Sequence, residues 1–117
     1  MEESILQSVK KSLGIDPSHE FFDSDLIMHI NSVFAILLQL GVGPQDGFSI
    51  ADETSTWQDF LSDNNKLNNV KTYVGLKVKL IFDPPLSSAN IESINRLISE
   101  LEWRINVAAE ENQNDGG

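Results

Sequence analysis

The stretch VKTYVGLKVKLIFDPP, residues 70–85, decides the fold, because it supports two periods at once. Val74, Leu76, Val78, Leu80 and Phe82 alternate, with Gly75, Lys77 and Lys79 between them, which is the period of a half-buried strand. Val70, Tyr73, Val74, Lys77, Val78 and Ile81 also stand at helical spacing, and the pattern stops at Pro84-Pro85. A lone strand cannot complete its hydrogen-bond ladder, and only Phe48–Ile50 offers a second extended piece. The sixteen residues from 67 to 82 are also long for a strand. The stretch therefore reads as a helix closed by its prolines, with the following helix running back antiparallel to it.

Outward from this segment the helical patterns continue. Ile5, Leu6, Val9 and Leu13 form one stripe, and Gly14 suits the C′ position with Ile15 making the usual apolar contact after it. Pro17 pushes Asp16 out of the helical region, so IDPSHEFF is a connector. Asp23 is expected as the N-cap of a central helix, with Phe22 and Ile27 as its hydrophobic staple. Leu26, Ile30, Phe34 and Leu37 are the core of that helix, which ends near Leu40. GVGPQDGFSIADETS, residues 41–55, is one long irregular connector. Its glycines miss the phosphate-cradling GxGxxG spacing and follow a helix instead of a strand. Thr54 or Thr56 caps a short helix carrying Trp57. Ser87 or Ser88 caps the last helix, which runs to Ala109 with Ile94, Leu101 and Trp103 assigned to the core. Tyr73 and Phe82 complete that core list. The expectation is an all-α fold: a compact bundle of about five helices over residues 1–109. EENQNDGG, residues 110–117, contains no apolar residue and is expected to be a disordered, acidic and polar tail.

Composition narrows the function. A chain of 117 residues with 40 % hydrophobic content is one globular domain. There is no cysteine, hence no disulfide framework and no thiolate metal site. The opening MEESILQSVKK has acid before base and a broken apolar run, unlike a signal peptide. No apolar run approaches the ~20 residues of a membrane span. These features fit a soluble intracellular protein. The net charge is −10 and uneven: nine acids and no Lys or Arg lie between Ser12 and Asn65. From Lys66 to Phe82 the sign reverses, with Lys66, Lys71, Lys77 and Lys79 and no acid. Such segregation is either two solvated surfaces or two complementary ones, and the overall acidity opposes tight nucleic-acid binding.

The chain offers little for catalysis. Asp25 and His29 are one helical turn apart, but a zinc site needs further ligands. No serine stands in a GxSxG elbow. No catalytic, metal or cofactor residues are assigned.

In order along the chain, LGID, FFDSDLIMHINSVFAILLQLGVGP, TWQDFL, VKTYVGLKVKLIFDPP and ELEWRINVAA resemble the small head–tail connector, or head-completion, proteins of long-tailed bacteriophages and Gram-positive prophages. The resemblance spans roughly residues 5–109. It implies a helical, non-enzymatic virion protein that forms a ring, commonly twelvefold, beneath the portal of the capsid. The ring extends the DNA channel without gripping DNA, and it meets the portal on one side and a stopper or tail-side protein on the other. It implies the host cytoplasm during assembly and no membrane. A ring contact joins two unlike faces. Lys66, Lys71, Lys77 and Lys79 are candidates for one, and Asp46, Asp52, Glu53 and Asp59 for the other. Gly43, Pro44, Phe48 and Ile50, with Glu110, Glu111, Asn112, Asn114 and Asp115 of the tail, are candidates for docking a portal or other partner. The competing expectation is a monomeric cytosolic helical module for protein interaction.

Overall fold

Residues 67–82 are helical. The computed structural model describes residues 3–62 and 64–115, and at 64, 65 and 110–115 the backbone alone. The described residues form five helices: α1 (Ile5–Ser12), α2 (Asp23–Gln39), α3 (Trp57–Phe60), α4 (Asn64–Phe82) and α5 (Ser88–Asp115). The described residues form no strand, only one isolated bridge between Ser4 and Thr56. In α4 the buried residues Leu67, Val70, Tyr73, Val74 and Val78 follow helical spacing, while Leu76, Leu80 and Phe82 are half-buried. The strand-like alternation has a simple cause. α4 packs against α1, α2, α3 and α5, so apolar residues are favourable on more than one of its sides.

Helix α1 is closed at both ends by local hydrogen bonds. Ser4 Oγ accepts from the Gln7 N–H, and the Gly14 and Ile15 N–H groups donate to the Lys11 and Lys10 carbonyls. That double closure needs a left-handed residue at Gly14, whose φ is +77°. The expected cap of α2 is different. Asp23 is the first helical residue, Phe22 occupies the N-cap position, and no side chain caps the helix there. The reason lies in α1: the Asp23 carboxylate is held 2.8 Å from the Lys10 ammonium. Lys10 is 0 % exposed, and its Nζ also donates to the Pro17 carbonyl at 3.0 Å. A buried ammonium without such partners would be strongly unfavourable, which outweighs a surface cap of about 1 kcal/mol. Phe22 in turn sets its ring edge-on against Phe82, with centroids 5.1 Å apart, so the start of α2 lies beside the end of α4.

The 41–55 connector is irregular as expected, yet it is packed. Val42 and Ile50 are buried, and Phe48 joins Phe34 and Phe60 in an aromatic cluster with centroids 4.7–5.3 Å apart. Asn31 Nδ2 donates to the Ile50 carbonyl and Asn31 Oδ1 accepts from the Ile50 N–H, so one side chain satisfies both backbone groups. A Cβ on Gly43 would collide with the Phe60 ring, and its φ is +91°, so only glycine fits. Thr56 and Asp59 form a reciprocal capping box on α3.

Helix α5 lies along α4. Ile98, Leu101, Ile105 and Ala109 are buried, and Ile94 is half-buried. The Tyr73 hydroxyl donates to Glu102 at 2.8 Å, and Asn106 Nδ2 donates to the Leu40 carbonyl at 3.3 Å. Ser87 Oγ accepts from the Asn90 N–H at the helix start. Trp103 does not belong to the core: it is 68 % exposed. It falls between Leu101 and Ile105 in sequence, about 200° from each around the helix, and so faces outward when they face inward. The α5 backbone runs to Asp115, through the residues expected as a tail. The side chains of 110–115, and residues 116 and 117 entirely, lie outside the described residues. At 28 residues α5 is about 42 Å long.

Candidate functional site

The two ends of α2 carry contrasting surfaces. At its C-terminal end the chain turns away through Gly41 and Val42, and α4 begins and α5 approaches its end beside it. Between these pieces lies a groove of about 650 Å³. Leu38, Val42, Val70, Ile105 and Ala108 supply its apolar wall, Gly43 and Gln45 its connector side. Among the described residues its charged lining residues are Lys66 and Arg104. Arg104 is anchored by Glu100 at 2.6 Å, one turn earlier on α5.

At the opposite end, about 25 Å away along the 17 residues of α2, the surface is acidic. Phe21 is 79 % exposed, its ring held edge-on against Phe22 at 5.0 Å. Asp16, Glu20 and Asp25 are exposed in the same stretch of chain, the His19 ring lies 6.4 Å from that of Phe21, and Asp23 is spent on Lys10. Hydrogen bonds from the Ser18 hydroxyl and N–H hold the Asp16 carboxyl below its ordinary pKa.

The residues expected to make ring contacts do not form two clean faces. Lys71 reaches Glu3 at 3.1 Å, Lys79 lies 3.9 Å from Asp83, and the Lys77 ammonium sits 5.8 Å from the centre of the Tyr73 ring. Lys71 and Lys77 point about 120° apart around α4, whereas Lys66 and Lys77 share a side, so the four lysines do not all lie on one face. Lys66 lines the groove, and Asp46 is exposed. Asp52 binds the Thr54 hydroxyl and N–H, which hold its carboxyl below the ordinary value. Glu53 accepts from Gln7, and Asp59 is tied up in the α3 capping box. Lys71 likewise lowers the Glu3 carboxyl through its hydrogen bond. Burial foremost, then the hydrogen bond to Glu102, pushes the Tyr73 hydroxyl above its ordinary range.

Of the docking candidates, Gly43 sits on the Phe60 ring at the groove's edge and Pro44 is exposed beside it. Phe48 is half-buried and Ile50 is buried, so those two side chains face the core. Glu110, Glu111, Asn112, Asn114 and Asp115 lie where only the backbone is described.

Sequence reasoning missed Lys10, Phe21 and Arg104. Lys10 did carry a signal, since it stands four residues after Leu6 on the apolar side of α1. Phe21 and Arg104 carried none that separates them from ordinary packing and surface residues. Among the described residues no three His, Asp or Glu are placed to hold a metal ion. No described helix is long and apolar enough to cross a membrane. In comparisons with known proteins, a family model described as phage connector protein matches residues 5–112. No curated protein and no solved structure matches the chain.

Proposed function

The chain belongs to the phage connector protein family, and from that premise we propose that it builds a ring beneath the capsid portal. Membership makes it a structural virion protein of the head–tail junction, working with other head and tail proteins. In the proposed ring, twelvefold in keeping with the family resemblance, one side meets the portal and the other a stopper or tail-side protein. The central opening continues the DNA channel. The match over residues 5–112 carries this reading. Large apolar residues left exposed on the folded chain support it: Phe21, Leu86, Leu97 and Trp103 lie on surfaces that the fold itself does not cover. The acidic balance, net −10, suits a channel that must let phosphates slide past.

Size-exclusion chromatography with light scattering, on the chain alone and with a portal protein, tests the proposal. The expected result is a ring, or a portal complex of several copies. A chain that stays monomeric and ignores the portal would support an interaction module instead.

A further inference from the structure

We infer that the groove at the C-terminal end of α2 receives the Phe21 knob of a second copy of this chain. The inference rests on the ring reading above and names the contact that closes the ring. Three observations converge. Phe21 is a large apolar side chain with 79 % of its surface exposed, and the groove of about 650 Å³ is ample for a phenyl ring and its flanking turn. The charges are compatible: Glu20 and Asp25 flank the knob, whereas the charged lining of the groove, among the described residues, is Lys66 and the Glu100-anchored Arg104. The placement is right as well. Knob and groove lie at opposite ends of one 17-residue helix, so a chain cannot fill its own groove. A contact between unlike patches at opposite ends is heterologous and propagates head to tail, into a ring when the rotation closes. An aromatic anchor seated in an apolar pocket with charged residues at its rim is the usual form of an energetically dominant contact.

The absence of cysteine from the sequence makes a clean test possible. Glu20→Cys places a thiol on the knob, and Gln45→Cys places one beside the groove. Within one chain the two positions are too far apart for a disulfide, which needs Cα atoms within about 7 Å. The full-length E20C chain, isotope-labelled for mass, is mixed with unlabelled Q45C and oxidised. The expected product is the mixed 20–45 dimer, and a double variant should give a ladder of linked chains. F21D and R104E, both at exposed positions outside the core, should each cut the mixed product about tenfold. Predominant 20–20 or 45–45 dimers, or a groove thiol that links only to an added portal or tail-side protein, would overturn the contact. Wild-type rings with no 20–45 link would overturn the contact and leave the ring standing. A 20–45 ladder from a wild type that never closes a ring would uphold the contact and remove the ring. With neither rings nor links, both fall.

Discussion

Helices α4 and α5 lie side by side and use their apolar residues differently. The 19 residues of α4 are packed against four other helices, and five of them are buried side chains that hold the molecule together. The 28 residues of α5 pack chiefly against α4, along the single stripe Ile98, Leu101, Ile105 and Ala109. Leu97 and Trp103 on the same helix, and Leu86 just before it, remain exposed. The contrast separates two tasks. α4 chiefly specifies the fold and leaves Ile81 as its exposed large apolar side chain among the described residues, whereas α5 with its approach carries more apolar surface that folding does not cover.

The sharpest way to break this comparison is to place a charge on each helix in turn. Val74→Asp buries an unpaired carboxylate in α4 and should cost more than about 4 kcal/mol, a large share of a small domain's stability. Leu97→Asp on α5 should stay within about 0.5 kcal/mol. Urea titrations of the two variants check the difference, and equal losses would erase the division of tasks.

The Lys10–Asp23 pair gives the next largest effect. Asp23→Asn leaves the buried Lys10 ammonium without its counter-charge and should cost about 2–4 kcal/mol, moderated by the partial exposure of Asp23. Lys10→Met removes the charge together with its need for a partner and should cost less. Melting temperatures in that order support the account; the reverse order would make Lys10 an ordinary packing residue.

Smaller effects join or tune the two helices. Tyr73→Phe removes the hydrogen bond between α4 and Glu102 of α5 and should cost about 1–2 kcal/mol. Gly75→Ala should stabilise α4 by about 0.5–1 kcal/mol, since the added Cβ meets Ser12 only at 3.5 Å, an ordinary contact. The pH dependence has two signs. The Glu3, Asp16 and Asp52 carboxyls lie below their unfolded values of 4.5, 3.8 and 3.8. Their stabilisation is present above those values and fades as pH falls through the lower folded ones. Tyr73 is shifted upward from 10.0, so its contribution holds below that pH and is lost as pH rises through the folded value. Chemical denaturation across pH should show both declines, and a rise in stability on acidification below pH 4 would contradict the first.

Much of the fold was legible because local rules and packing agreed. The Gly14 closure of α1, a threonine cap on α3 (Thr56 of the two candidates, Thr54 and Thr56) and the helical reading of 67–82 each rested on backbone chemistry that tertiary contacts then reinforced. The misreadings arose where a distant residue decided. Asp23 looked like a cap, and although Lys10 stands on the apolar side of α1, nothing near Asp23 announces that this residue, 13 positions earlier, claims it. Trp103 looked like core because α5 has apolar residues on more than one side, and only the position of α4 selects which stripe is covered. How the lysines of 66–79 are spread around α4 was also hidden, because a strip in sequence does not show its rotation around a helix. The groove was invisible for the same reason: α2, α4 and α5 contribute to it from well-separated parts of the chain.

Electron microscopy of the purified chain, alone and mixed with a portal protein, bears most directly on the central claim. The account predicts closed rings of one size with a central opening, stacked coaxially on the portal when it is present. Particles that remain single chains at every concentration, with portals left bare, would contradict it.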